Sequence, residues 1–174
     1  ADMPDLRRVV VAVDPPATSQ RSSDACGIVA AGIDEAGRAI VLADATMNAA
    51  RPQQWASAAV GLYARLRADC IVAEVNQGGD MVAEVIRAAD PTVPVRPVRA
   101  RRGKWLRAEP VAMLYQQGRV LHCGRLAALE DEMCAFGPDG LSGGRSPDRV
   151  DARVWAITEL RLDASGAPRI RRFT

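Results

Sequence analysis

Lysine, histidine and aromatic residues are scarce in this chain. His122 is the only histidine, Lys104 is the only lysine among 23 basic residues, and aromatic side chains make up 4% of the 174 positions. A single histidine counts against a zinc site and against chemistry run by imidazoles. The four cysteines, Cys26, Cys70, Cys123 and Cys134, include no Cys-x-x-Cys pair, so the clustered thiolates of a structural zinc site are missing. Cys26 and Cys70 lie in apolar, strand-like runs, where a free thiol acts as a small buried hydrophobe. All four read as reduced, which points to a cytoplasmic setting. No apolar run approaches the ~20 residues of a membrane span, and Ala1 to Arg8 has no signal-peptide pattern. A soluble protein without a membrane partner is expected.

What is present is a chain with 48% hydrophobic residues, enough for one domain with an aliphatic core and no disulfide or metal staples. The 23 basic residues nearly balance 21 acidic ones, so net charge says little about partners. A GC-rich coding sequence is enough to explain the preference for arginine over lysine.

Arg7 to Val13 is a β-branched run ending at Asp14, before Pro15-Pro16, and reads as a buried strand with an acid at its C-terminal end. A polar loop, Ala17 to Ala25, leads to a second strand at Cys26 to Ile33, and a short turn at Asp34 to Gly37 returns the chain as a third at Arg38 to Ala45. So short a connection predicts an antiparallel pair. Pro52 suits the first turn of a helix whose Trp55, Ala58, Ala59, Leu62, Tyr63 and Leu66 recur at helical spacing. A fourth strand, Cys70 to Val75, carries Glu74 near its end. A second helix follows through Met81, Val82, Val85 and Ile86, then a short strand at Val93 to Val98 that its prolines assign to an edge. Further helices are predicted from Lys104 to Gln117, around Leu126 to Met133, and from Ser146-Pro147 to about Leu160. Gly137 to Ser146 reads as a flexible loop, and Asp163 to Thr174 as a last strand or a free tail. Three consecutive strands and then alternating helices and strands make a mixed α/β sheet flanked by helices. A dinucleotide-binding fold is disfavoured, because no G-x-G-x-x-G follows the first strand.

Acids stand where this order would bring them together. Asp14 ends the first strand, and Glu74 ends the fourth, which in a βββαβ order pairs beside the first. Asp148 and Asp151 lie three apart on one face of the last helix. Carboxylates in such a group form an oxygen-rich cage suited to Mg²⁺ or Mn²⁺. Two such ions about 3.5–4 Å apart support phosphodiester cleavage. Simpler roles exist for each residue alone. Asp14 before Pro15 suits a turn, and Asp148 suits a helix dipole. Glu74 is harder to explain away, since an unpaired glutamate inside CIVAEV would be costly to bury.

The stretches VAVDPPA (11–17), Ser23 to Ile28, IVAEVNQGGDM (71–81), LYQQGRVLH (114–122) and PDRVDARVWA (147–156) together resemble the nuclease domain of viral DNA-packaging terminase large subunits, in phages and in phage-like gene transfer agents. The resemblance spans nearly the whole chain and implies one ribonuclease H-like domain over residues 1–174. It implies a metal-dependent endonuclease that cuts concatemeric double-stranded DNA with little sequence specificity, in the bacterial cytoplasm at the procapsid. Asp14 and Glu74 would be metal ligands, with Asp151 favoured as the third and Asp148 as its alternative or partner, around two Mg²⁺ or Mn²⁺ ions. Asp24 is either an outer ligand or a loop cap, and Asp80 a helix-terminal acid. The ATPase motor, the small terminase subunit and the portal would be partners. The chain carries no G-x-x-x-x-G-K-[S/T] phosphate loop, so no ATPase motor is expected within it.

Arg96, Arg99, Arg101, Arg102, Lys104 and Arg107 fall within twelve residues. Such a stretch either grips phosphates irrespective of sequence or forms a solvated helix start. The resemblance favours Lys104 and Arg107 for DNA, and Arg145 on the Gly-rich loop is a further candidate. Two other functions suit the same pattern: a Holliday-junction resolvase with the same chemistry, and a non-catalytic nucleic-acid-binding or assembly module. An actin-like ATP-binding relative is weaker, because the Gly-rich phosphate hairpins are absent.

Overall fold

The computed structural model describes residues 5–16, 25–75, 80–141 and 145–162. The chain opens with strands β1 (Leu6–Asp14), β2 (Ala25–Asp34), β3 (Ala39–Asp44) and the short β4 (Met47–Asn48). It continues through α1 (Pro52–Leu66), β5 (Cys70–Glu74), α2 (Asp80–Ala89), β6 (Val95–Val98), α3 (Lys104–Gln116), β7 (Val120–His122), α4 (Ala127–Ala135) and α5 (Asp148–Leu162). Among the described residues the sheet runs β6-β5-β1-β2-β3-β7, with β4 paired to β2 beside this path. The β1–β2 and β2–β3 pairs are antiparallel, whereas β5 adds parallel to β1, β6 to β5 and β7 to β3. The expected mixed α/β sheet is therefore present, and β6 with its Pro97 sits at an edge, where a missing N–H costs least.

β4 and β7 have no counterpart in the sequence reading. Each is too short to show alternation, and β7 is a strand because β3 offers it an open edge. The Asp24 position and most of the Ala17 to Ala25 loop lie outside the described residues, as do the glycines at 78–79 and the tail from Asp163. The four cysteines are free, Cys26 and Cys70 buried and Cys123 and Cys134 exposed. Among the described residues no helix is long and apolar enough to cross a membrane.

Strand alternation sorts the core onto two faces. Val9, Val11, Val13, Ile71 and Ala73 pack with Trp55, Ala59 and Leu62 of α1 and Ile86 of α2. Val10, Ala12, Cys70 and Val72 face the other way, against Trp155, Ala156 and Leu160 of α5. Strands covered on both faces read as unbroken apolar runs, which accounts for RRVVVAV and CIVAEV. A third cluster joins Val29, Val41 and Val120 to Val150, Val154 and Ile157 of α5, Ala108 and Val111 of α3, and Leu129 of α4.

α5 is thus enclosed between the sheet and two helices, and every residue from Val150 to Ile157 is buried. Its buried charges are paired or stacked. Glu159 accepts from Arg8 at 2.5 Å and Arg96 at 2.7 Å, and the Arg153 guanidinium lies 5.1 Å from the Tyr115 ring centre. The first turn is tied to α4 by the Val150 N–H, which donates to Glu132 at 3.0 Å.

One glycine sets the depth of this helix. Gly27 of β2 pairs across from Asp14, and a Cβ added there would lie 2.0 Å from the Asp148 carbonyl oxygen and 3.1 Å from the Ala152 Cβ. Backbone rests on backbone at this point, so any side chain must lift the start of α5. Gly27→Ala is expected to cost about 1–3 kcal/mol, the usual scale of overpacking. The check is urea unfolding, where the midpoint should drop without a change in m; an unmoved midpoint would show that α5 can shift freely.

Candidate active site

β1 and β5 run side by side in parallel, with Val13 opposite Ala73, so the next residue on each strand, Asp14 and Glu74, leaves from neighbouring strand ends. Alternation places both on the face shared with Val10, Ala12, Cys70 and Val72, which is the α5 face. α5 brings Asp148 and Asp151 to the same place in its first turns, helped by the contact at Gly27. All four acids are buried, Asp151 with only 1% of its side chain exposed.

Two cations from the start of α3 join them. The Lys104 ammonium makes a close ion pair with Asp151 Oδ2, stands 4.0 Å from Asp14 Oδ2, and donates to Ser146 Oγ at 2.8 Å. Arg107 reaches Glu74 Oε2 and Asp151 Oδ1, each at 3.4 Å, and its guanidinium stacks 4.8 Å from the Trp155 ring centre. The Trp155 indole N–H donates to Glu74 Oε2 at 2.5 Å, so one tryptophan orients both the acid and its arginine.

Asp14, Glu74, Asp148 and Asp151 are therefore gathered at one place, while Asp24 lies outside the described residues. Asp80 is the first residue of α2. The basic residues divide. Arg99, Arg101, Arg102 and Arg145 are exposed, Arg96 turns to Glu159, and Lys104 and Arg107 point into the acid cluster. Sequence reasoning missed Gly27, Ser146 and Trp155 as parts of the site. Only Trp155 carried a signal, because a tryptophan inside a buried helix needs a partner for its N–H.

Burial raises the Asp14 carboxyl well above the usual carboxylate range, Glu74 adding to the shift and Lys104 opposing it. Burial also pushes Asp148 up to about 6, against a hydrogen bond from Ser146 and the pull of Lys104. Asp151 is raised by burial despite Lys104 and Arg107. For Lys104, burial works against the ammonium, but Asp14 and Asp151 outweigh it and its pKa rises. Below the cluster, burial and then Asp14 push the Cys26 thiol up. Two resident cations thus leave the four acids short of positive charge. The all-oxygen donor set and this deficit fit a hard divalent ion. As they stand, the described residues include no three His, Cys, Asp or Glu side chains placed to enclose an ion, and Lys104 lies between Asp14 and Asp151 where one would sit.

A mixed sheet with acids at adjacent parallel strand ends, faced by acids on a helix across it, defines the ribonuclease H-like class. The chain belongs to the terminase RNaseH-like domain family, whose model matches residues 11–160. In fold it is similar to the large terminase nuclease of thermophilic phage G20c, with a TM-score of 0.67 at 17% identity over 91% of this chain and 87% of that one. That nuclease has also been solved with magnesium, zinc and cobalt bound. The human cytomegalovirus terminase nuclease domain gives a TM-score of 0.66 at 13% identity, covering 96% of this chain and 89% of its own. RuvC of Thermus thermophilus gives 0.52 at 17% identity, covering 94% and 99%. No curated protein matches the sequence.

The raised carboxyls have a consequence for stability. Between about pH 4, where a free aspartate titrates, and about 6, where Asp148 does, the native state keeps a proton that the unfolded chain has lost. Stability from this group therefore falls as pH rises through that window. In EDTA, the Tm difference between the parent and Asp148→Asn should shift against the parent from pH 4 to pH 6.5; a difference that stays flat or moves the other way would contradict the assignment.

Proposed function

We propose that the chain is a divalent-metal-dependent DNA endonuclease domain that cuts concatemeric double-stranded DNA during genome packaging. The observation that carries this reading is the convergence of Asp14, Glu74, Asp148 and Asp151 at the C-terminal ends of β1 and β5 and the N-terminus of α5. Membership of the terminase RNaseH-like domain family and the metals bound by the G20c nuclease support it.

Asp14, Glu74 and Asp151, with Asp148 beside them, would hold one or two Mg²⁺ or Mn²⁺ ions. Such ions, when bound, lower the pKa of a water and neutralise charge on the departing 3′ oxygen. The protein supplies the placement. Gly27 sets how near α5 brings its acids to the sheet, and Trp155 and Arg107 hold the Glu74 carboxylate in one orientation. Ser146 accepts a hydrogen bond from the Lys104 ammonium beside the acids. The exposed Arg99, Arg101 and Arg102 lead directly into α3, and Arg145 precedes α5. These arginines grip backbone phosphates, which carry no sequence information, so cutting is sequence-tolerant.

In this role the domain works with the ATPase motor of a terminase large subunit, the small subunit and the portal, in the cytoplasm of a bacterial host at the procapsid. A junction-resolvase role uses the same chemistry but is favoured less, since the fold fit to RuvC at 0.52 is below the 0.67 for a terminase nuclease.

Supercoiled plasmid incubated with Mn²⁺, Mg²⁺ or EDTA tests this reading. Nicking and linearisation are expected with metal only, and reduced in Asp14→Asn and Glu74→Gln by more than the roughly 10–100-fold that loss of a ligand's outer-shell partner costs. A folded parent that cuts nothing would leave a non-catalytic DNA-binding module as the better account, and variants that cut as well as the parent would trace the cutting to a contaminating nuclease.

A further inference from the structure

Lys104 stands apart in two independent ways. It is the only lysine in a chain with 23 basic residues. Its ammonium lies inside the acid cluster, paired with Asp151, 4.0 Å from Asp14 Oδ2 and 2.8 Å from Ser146 Oγ. We propose that Lys104 is a displaceable resident cation, holding Asp14 and Asp151 together while no metal is bound and leaving as a divalent ion enters. It thereby sets the metal affinity of the site. The inference rests on the nuclease reading's assignment of Asp14 and Asp151 as metal ligands.

The two cations of α3 differ in the way this role demands. The Arg107 side chain is 10% exposed and fixed between Glu74, Asp151 and the Trp155 ring. A planar guanidinium in such a fork gives up several directed contacts if it moves. The Lys104 side chain is 40% exposed, so solvent is available to receive its charge. Its ammonium is a point charge on a flexible four-carbon stem, and a small rotation about that stem takes it from the acids to water.

The competition follows from electrostatics. An ammonium and a divalent ion cannot share the same two carboxylates, because like charges at contact distance repel. Without any cation, two buried carboxylates repel each other in turn. Lysine occupancy keeps the pair assembled at the cost of weaker metal binding, and this coupling is reciprocal: what lysine takes from the metal, the metal takes from lysine. Arginine at this position would hold both carboxylates in a fork and release them poorly.

Calorimetric Mn²⁺ titration of the parent, Lys104→Met, Lys104→Arg and Arg87→Gln tests the idea. Arg87→Gln removes one exposed charge from α2 and controls for the general field. Lys104→Met should bind Mn²⁺ about fivefold more tightly, equivalent to about 1 kcal/mol for a half-exposed ion pair. Lys104→Arg should bind it more weakly, and Arg87→Gln should match the parent. The second measurement needs no variant. Because the chain has one lysine, ¹³C-lysine labelling gives one side-chain ε-methylene resonance, which should shift on Mg²⁺ addition with the midpoint of a calorimetric Mg²⁺ titration of the same sample. A parent that binds metal while this resonance stays fixed overturns the proposal and leaves the nuclease reading intact, as does a folded Lys104→Met that binds no tighter. A parent that binds no metal and cuts no DNA overturns both.

Discussion

The seat of α5 on the sheet at Gly27 is the constraint on which the rest of the site depends. A helix backbone normally stands a side chain's depth away from a sheet. Here the Asp148 carbonyl occupies the space that any Cβ at residue 27 would need. Asp14 lies directly across the ladder from Gly27, so the same contact that lowers the helix brings its two acids down to the ends of β1 and β5. The burial of α5 from Val150 to Ile157 by sheet, α3 and α4 holds it there.

That packing has an electrostatic consequence. Four carboxylates share one buried corner, and the raised pKa values of Asp14, Asp148 and Asp151 report desolvation that neighbouring charge does not fully offset. Such an arrangement is unfavourable to fold in the absence of cations. α3 answers it from the opposite side with Lys104 and Arg107, one partly solvated, the other stacked on Trp155. A second buried charge group, Glu159 with Arg8 and Arg96, lies further along α5 and ties that helix to β1 and β6. The enclosed helix is thus anchored by paired charges in both halves, but only the first-turn group carries an excess of acid.

Much of this was legible in the sequence because the signals were local. Unbroken β-branched runs mark strands covered on both faces, and the order βββαβ already places the end of β5 beside the end of β1. Asp14 and Glu74 could be paired from that order alone. Asp148 and Asp151 could be placed on one helical face by spacing. The prolines in VPVRPV (93–98) identified an edge strand, which β6 is. β4 and β7 escaped notice because strands of two and three residues have no period to detect.

The sequence by itself determined which acids exist, which strand or helix end each occupies, and that a single lysine stands at the start of a helix. Tertiary structure decided what those charges do to one another. The basic stretch read as either a grip on phosphate or a solvated helix start, and folding divides it: Arg96 goes to Glu159, Lys104 and Arg107 turn inward to the acids, and Arg99, Arg101 and Arg102 remain exposed. The reason is geometric. Residues three apart on a helix project toward one side, so Lys104 and Arg107 face the same neighbour, and which neighbour that is depends on long-range packing of α3 against α5. Gly27 and Trp155 matter for the same cause, since a close backbone approach and a hydrogen bond spanning 81 positions come into being only when distant segments meet.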